Sequence, residues 1–224
     1  MFKSGERALI VCAHLDDELF GVGGTIRRLV SGDVGVDVIV MTSQVYERVN
    51  SGTFQRRFTE ITEAIKSGIG VRQYYWSGLV DMHIQNPLRS HIEVLEDRLF
   101  NGNYHWVFTH TEHDMHQEHV LISQATKIAA RPNMDVFSTL KGLFEYEVVG
   151  SSNSIFLGSN PSGALRIAID IEQKIEDIKK FASDAVDEFP KSRTIDSVKA
   201  LALLRGSEMK TGYAEAFAVR YLTY

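Results

Sequence analysis

The order of the apolar segments limits the fold of this chain more than any other feature. Ala8–Ala13 is a continuous apolar run, the pattern of a strand that is buried on both faces. A helical segment follows it through Leu29, and Val36–Thr42 reads as a second strand. A strand, a helix and a strand in this order predict two parallel strands joined by a right-handed crossover.

The same alternation continues to about residue 130 and changes after Pro132. Before Pro132, strands are predicted at 71–76 and 105–109, and helices at 54–67, 88–100 and 119–130. After it, strands are predicted at 143–146, 165–171 and 217–222, and helices at 171–185 and 197–206. We therefore predict an α/β protein with a Rossmann-like three-layer fold, a mostly parallel sheet and a mixed α/β carboxyl-terminal part, in one domain over residues 1–224.

Composition excludes several classes of protein. The net charge is -5, which argues against a protein that binds nucleic acid phosphates. Cys12 is the only cysteine, so no intramolecular disulfide can form. There is no run of ~18 apolar residues to span a membrane and no signal-peptide core, and a cytoplasmic protein is expected.

Two loops at predicted strand ends carry the residue types that bind metals. His14, Asp16 and Asp17 directly follow the first strand, and His116 and His119 lie in the segment that follows the strand at 105–109. Active sites of open parallel sheets collect at the carboxyl ends of the strands. The two loops would therefore face each other across one crevice if these strands are neighbours.

Imidazole and carboxylate together suit zinc, which in catalytic sites keeps a position open for water. A second carboxylate beside the ligands is able to take the proton of that water. The alternative for Asp16 and Asp17 is helix capping, and single histidines such as His83, His91 and His105 are expected to be structural. However, five of the eight histidines lie within residues 105–119, and the two loops together favour a metal site.

The glycines Gly21, Gly23 and Gly24 suggest a dinucleotide-binding loop. That fingerprint needs its first glycine immediately after the strand, whereas Gly21 lies eight residues after Ala13. Ile26 stands where the third glycine would be. Close packing of the helix on the sheet is the interpretation that these glycines favour.

The two loops resemble the motifs of a known family. Ala13–Glu18 resembles the Ala-His-Pro-Asp-Asp-Glu signature of the PIG-L/LmbE-like deacetylases, and Asp114–His119 resembles their second motif, Asp-x-His-Pro-Asp-His. The resemblance implies a zinc-dependent hydrolase that removes the acetyl group from an N-acetylated amino sugar of the N-acetylglucosamine type, free or conjugated. It also implies one zinc ion per chain, with other divalent metals as alternatives.

The resemblance implies a role for each matching residue. It makes His14, Asp17 and His119 the zinc ligands. It makes Asp16 the general base and His116 the group that stabilises the oxyanion and protonates the departing amine.

Further residues follow from weaker matches. Arg57 and Asp81 would hold the substrate. Glu118 stands in place of an aspartate that orients the acid histidine. Its side chain is one methylene longer, which changes how the carboxylate would orient that histidine. Leu15 and Gln117 replace prolines and leave the loops less restricted in φ without removing a ligand.

Three other functions compete with the deacetylase. They are another metal-dependent amide or ester hydrolase on the same scaffold, a non-catalytic glycan-binding module, and a nucleotide-binding protein. The expected partner is a small-molecule N-acetylated sugar, without nucleic acid or a membrane span, and a homo-oligomer is compatible with the sequence.

Overall fold

The computed structural model describes residues 1–42, 51–79, 87–132, 139–151, 164–183, 186 and 192–223. The strands are β1 (Arg7–Cys12), β2 (Gly35–Val40), β3 (Gln73–Trp76), β4 (Trp106–His110), β5 (Gly142–Tyr146), β6 (Ala164–Ala168) and β7 (Ala214–Leu222). The helices are α1 (Asp17–Ser31), α2 (Ser51–Ile69), α3 (Pro87–Gly102), α4 (Gln117–Ala129), α5 (Ile171–Phe181) and α6 (Ile195–Ser207).

The strands form one seven-stranded sheet in the order β3-β2-β1-β4-β5-β7-β6. Strands β1 to β5 pair in parallel, whereas β7 runs antiparallel to both β5 and β6. The mostly parallel sheet with a mixed carboxyl-terminal part is therefore confirmed. From β1 the chain builds outward to β2 and β3 on one side and then crosses to β4 on the other. The topological switch point, where such sheets bind ligands, thus lies between the carboxyl ends of β1 and β4.

The first strand separates two apolar layers. Alternate residues Ala8, Ile10 and Cys12 face the layer that contains α1, α2, α5 and α6. Leu9 and Val11 face the layer that contains α3 and α4. Because both faces are covered by helices, β1 is apolar at every position from Ala8 onward, which is the pattern that the sequence presents.

Helix α1 packs unusually close to its neighbours through glycine. A Cβ atom at Gly21 would lie 2.5 Å from the ring of Tyr146, and one at Gly24 would lie 2.7 Å from the side chain of Ile169. The interpretation of these glycines as packing residues agrees with this geometry. The close approach holds the helix that begins at the switch point firmly on the sheet.

A buried ion pair bonds to the backbone in the middle of α1. Lys174 Nζ donates to the carbonyl oxygen of Phe20 (2.7 Å) and to Glu215 (2.6 Å). The Glu215 carboxylate accepts from the backbone N–H groups of Gly24 (3.0 Å) and Thr25 (2.8 Å). In a regular helix the Phe20 carbonyl would accept from the Gly24 N–H. The ion pair of Lys174 and Glu215 bonds to both of these groups and so connects α5 and β7 to α1 at that turn.

Some predicted boundaries were wrong. The strand predicted at 165–171 ends at Ala168, because the Asp170 side chain accepts from the backbone N–H of Gln173 and so begins α5. Helix α4 begins at Gln117, two residues earlier than predicted. Among the described helices, none is long and apolar enough to cross a membrane.

Candidate metal centre

The loop after β1 and the loop after β4 meet at the switch point and bring three donor atoms together. Asp17 Oδ2 lies 3.3 Å from His14 Nδ1 and 3.3 Å from His119 Nε2. Asp17 and His119 are buried, and His14 is nearly so. Two segments about a hundred residues apart in the chain therefore form one cluster.

The spacing of these atoms fits a tetrahedral zinc ion. Zinc bonds of about 2.0–2.1 Å place neighbouring ligands of a tetrahedron about 3.3–3.4 Å apart. Both separations from Asp17 Oδ2 match that edge, and the three donors all lie within 4.8 Å of one another. His119 Nε2 is buried and makes no hydrogen bond to any described part of the chain. Two imidazoles and one carboxylate are also the donor set of an open catalytic zinc site.

Hydrogen bonds on the far side of each imidazole leave the inner nitrogen available. His119 Nδ1 donates to Asp114 Oδ2 at 3.0 Å, so the lone pair of Nε2 points into the cluster. His14 Nε2 donates to Glu118 Oε2 at 2.5 Å, which leaves Nδ1 as the free donor atom. Asp17 Oδ2 itself accepts from the backbone N–H of His14 at 2.9 Å.

Two other groups of side chains have metal-ligand spacing, namely His14 with His116 and Glu118, and His110 with Asp114 and His119. In the first group, His14 Nε2 and Glu118 already share a short hydrogen bond. In the second, His110 Nε2 accepts from the backbone N–H of Ala13 at 2.9 Å. In the group that contains Asp17, the inner nitrogens of His14 and His119 make no such bond among the described residues. Asp17 Oδ2 accepts one backbone N–H and keeps a lone pair for a metal.

Asp16, beside Asp17, has a strained backbone and a buried side chain. Its φ is 134° and its ψ is -29°, a region that favours glycine. Its backbone N–H donates to Glu18 Oε2 at 3.0 Å, and its side chain makes no capping bond to α1. Asp16 Oδ1 is buried without a hydrogen-bond partner among the described residues. The capping alternative therefore does not account for this carboxylate, which is left for another task.

The two adjacent carboxyl groups have opposite pKa shifts. Burial raises the pKa of Asp16 to about 7; the charge of Asp17 adds to the rise and Arg193 opposes it. Burial acts in the same direction on Asp17, but the positive charge that His119 carries when protonated and the close contacts of the neighbouring imidazoles hold its pKa well below the usual range. A permanently ionised Asp17 suits a metal ligand, and a carboxyl group that titrates near neutrality suits a base.

The imidazoles respond to the same carboxylates. Although burial lowers it, contact with Asp17 and Glu118 raises the pKa of His14 to about 10. Contact with Asp17 and Asp114 likewise outweighs burial and raises the pKa of His119 to about 9. Histidine coordinates a metal in its neutral form, so a bound cation would take the place of these protons.

His116 stands at the rim of the cluster as the N-cap residue of α4. It is exposed, and its ring lies 5.0 Å from that of His14 and 4.6 Å from that of His119. Burial of part of the ring and the positive charges of these two histidines lower the pKa of His116, which favours the neutral imidazole in the free protein. Its place beside the cluster lets it reach a molecule bound there.

Three residues join the site that motif reasoning did not assign. His110 stacks on His119 with ring centroids 3.9 Å apart, and burial together with the charge of His119 lowers its pKa to about 4. Asp114 bonds to His119, and Arg193 contacts both Asp16 and Asp17. His110 and Asp114 lie in the segment that follows the strand predicted at 105–109, whereas no signal in the sequence pointed to Arg193.

Other predicted residues are placed differently or are not described. The hydrogen bond of Glu118 is to His14, whereas the resemblance led us to expect a partner in His116. The side chain of Arg57, which belongs to α2, lies outside the described part of the structure, as does Asp81. His91 Nδ1 bonds to the carbonyl of Pro87, and His105 accepts from the backbone N–H of Arg7; both fit structural roles.

The sheet has imidazole and carboxylate donors beside a buried acid at its switch point. This arrangement is that of the α/β enzymes whose active sites lie at the carboxyl edge of a parallel sheet. The family model described as PIG-L, GlcNAc-PI de-N-acetylase, matches residues 9–130. The chain belongs to this family of deacetylases.

Three known proteins are similar to this chain. The uncharacterized deacetylase YaiS of Escherichia coli (strain K12) is 30% identical over 130 residues, which are 55% of this chain and 67% of that protein. The N,N'-diacetylchitobiose deacetylase of Pyrococcus horikoshii is 17% identical, with a TM-score of 0.67 over 96% of this chain and 84% of that one. GalB, the 4-carboxy-2-hydroxymuconate hydratase of Pseudomonas putida KT2440, is 16% identical, with a TM-score of 0.71 over 98% of both chains. The two solved structures share the fold.

Proposed function

We propose that this protein is a zinc-dependent deacetylase that hydrolyses the acetamide of an N-acetylated amino sugar, of the N-acetylglucosamine type and free or conjugated. The products are acetate and a free amine. His14, Asp17 and His119 would hold the zinc ion. The observation that carries the proposal is the convergence of their three donor atoms next to Asp16 in the chain, whose Oδ1 is buried without a hydrogen-bond partner among the described residues.

A bound zinc ion would supply a Lewis acid, which acidifies water and polarises the substrate carbonyl. Asp16 Oδ1 takes a proton from the attacking water, and its pKa of about 7 suits this task near neutral pH. The water oxygen bonds to the acetyl carbon, and the carbonyl oxygen becomes an oxyanion. His116, at the exposed rim, donates a hydrogen bond to that oxyanion.

The carbon–nitrogen bond then breaks, and the leaving nitrogen needs a proton. The proton that Asp16 received is available for this step, and His116 is the neighbouring group able to relay or deliver it to the nitrogen. Acetate keeps the water oxygen. The second proton of the water leaves the carboxyl group as acetate forms and is taken up by the amine, so that every atom of the water is accounted for in the products.

The family and the names of the relatives support an acetylated sugar as the substrate. The family model is described as a GlcNAc-PI de-N-acetylase, and the Pyrococcus horikoshii protein is named for N,N'-diacetylchitobiose. Arg57 and Asp81 remain our candidates for holding the sugar. The hydratase GalB has the same fold, so the fold alone does not select this reaction.

The test combines metal content with acetate release. Protein stripped with a chelator is reloaded with one equivalent of zinc and given a panel of N-acetylated amino sugars, nitrophenyl esters and phosphate esters. We expect acetate release from at least one sugar, loss of that activity on stripping, and its return on reloading. Hydrolysis of only the esters, or full activity in metal-free protein, would contradict the proposal.

A further inference from the structure

The guanidinium of Arg193 lies between the side chains of Asp16 and Asp17. Its Nη1 is 3.4 Å from Asp16 Oδ2, and its Nη2 is 3.2 Å from Asp17 Oδ1. The side chain is three-quarters buried, with 25% of its surface exposed. Its charged end packs 4.8 Å above the ring of Phe20, in the second turn of α1.

Arg193 contacts one oxygen of each carboxylate and leaves the other oxygen free of its guanidinium. In Asp17 it takes Oδ1, whereas Oδ2 is the atom that faces His14 and His119. In Asp16 it takes Oδ2, whereas Oδ1 is the buried atom without a hydrogen-bond partner among the described residues. Arg193 thus distinguishes the two oxygens of each aspartate, since it contacts one and not the other.

The backbone of Arg193 is fixed by the helix that follows it. Thr194 is the N-cap of α6, and its hydroxyl accepts from the backbone N–H of Ser197 at 3.0 Å. The arginine therefore enters the centre from the carboxyl-terminal part of the chain, beyond the residues 9–130 that the family model matches. This placement gives the carboxyl-terminal part a direct contact with the centre.

We propose that Arg193 is a positioning residue that assigns separate tasks to the two adjacent aspartates, one oxygen of Asp17 to the metal and one oxygen of Asp16 to the attacking water. For turnover, this inference rests on the proposed deacetylase function. Adjacent carboxylates repel each other and are both able to turn toward a cation. A planar guanidinium with two parallel donors holds both, whereas a lysine ammonium is a single point charge.

The experiment compares Arg193→Lys and Arg193→Met with the wild-type protein. Zinc affinity is measured by competition with a chelator, and the visible spectrum of the Co²⁺-loaded protein reports ligand geometry. Loss of a group that orients metal ligands typically costs about 10–100-fold in metal affinity or activity. We expect both variants to fold, to bind one zinc ion with weaker affinity, to have an altered Co²⁺ spectrum, and to lose kcat by about 10–100-fold with little change in KM.

Arg131→Lys is the matched control. Arg131 pairs with Glu96 and follows the carboxyl-terminal end of α4, whereas the metal centre lies at the amino-terminal end of that helix. Thirteen helical residues separate the two ends by about 20 Å. This variant should leave affinity, spectrum and kcat unchanged. Circular dichroism and thermal unfolding identify any variant that fails to fold, and Arg193→Gln then replaces it in the comparison.

The outcomes separate this inference from the proposed function. A rise in KM alone would overturn it, because Arg193 would then bind substrate. Wild-type zinc affinity and Co²⁺ spectrum in both variants would also overturn it. If the wild-type protein releases acetate from no substrate, the proposed function fails, yet an altered affinity and spectrum in Arg193→Lys would still support the positioning role.

Discussion

Asp16 combines a strained backbone with a side chain assigned to catalysis, so stability and activity should separate at this position. Its φ of 134° is a conformation that glycine adopts freely and that costs other residues roughly 1–3 kcal/mol. We therefore predict that Asp16→Gly gives a more stable protein than Asp16→Ala. Both variants lack the carboxylate, so their difference reports the backbone alone.

The size of the effect follows from two opposing terms. Glycine removes the backbone strain, which stabilises the folded state by roughly 1–3 kcal/mol. It also gives the unfolded chain more freedom, which destabilises the folded state by about 0.5–1 kcal/mol. The net advantage over alanine is about 1 kcal/mol, which for a chain of 224 residues corresponds to about 2–4 °C in Tm. Urea unfolding and calorimetry of zinc-loaded samples measure both quantities.

The activity assay uses the same samples. Asp16→Gly, Asp16→Ala and the isosteric Asp16→Asn should all keep stoichiometric zinc and lose about 10²–10⁴-fold in kcat, the usual contribution of a general base. A glycine variant less stable than the alanine variant would refute the strain argument. Loss of zinc together with activity in Asp16→Asn would refute the assignment of Asp16 as base rather than ligand.

Other positions give further tests. His119→Ala should no longer hold zinc, because it removes a donor atom of the cluster; stoichiometric zinc measured by mass spectrometry of the metal would refute its role. Gly21→Ala should lower the free energy of unfolding by about 1–3 kcal/mol through overpacking against Tyr146, whereas Gly212→Ala, with open space around it, should not; equal urea midpoints would count against the packing argument. Glu215→Gln should lower the free energy of unfolding by about 3–5 kcal/mol because it leaves Lys174 charged and buried. The double change to Lys174→Met and Glu215→Leu should lower it by less. Additive losses in a double-mutant cycle would speak against the ion pair.

The sheet was predictable because its signal is local. Strands β1, β2 and β4 are mainly apolar and buried, each strand from β1 to β4 is followed by a helical segment, and parallel pairing follows from that alternation. The strand order of the carboxyl-terminal part was not predictable, because antiparallel addition of β7 between β5 and β6 depends on contacts between distant residues. That residues 1–224 form one domain stays a prediction.

The candidate centre was predictable only as far as its motifs extend. His14, Asp17 and His119 were predicted as ligands from the resemblance of the two loops to the family motifs, and the structure places these loops after neighbouring strands. Arg193 and the pair of Lys174 and Glu215 were missed, since charged residues usually face solvent. Their roles depend on the packing of the carboxyl-terminal part against α1, which no local pattern encodes.

This chain shares its fold with a protein named as a hydratase and with one named as a deacetylase, so the side chains of the site have to distinguish the two reactions. Both kinds of reaction add water, and an acid such as Asp16 beside a metal site would serve either. Only hydrolysis expels a leaving group, and that group has to be protonated as it departs. We propose that a proton donor on the substrate side of the centre favours deacetylation and that His116, at the exposed rim beside His14 and His119, has this role. If so, His116 and not the zinc ligands is the residue whose loss should slow the cleavage of amides more than that of esters with good leaving groups, because such leaving groups depart without a proton.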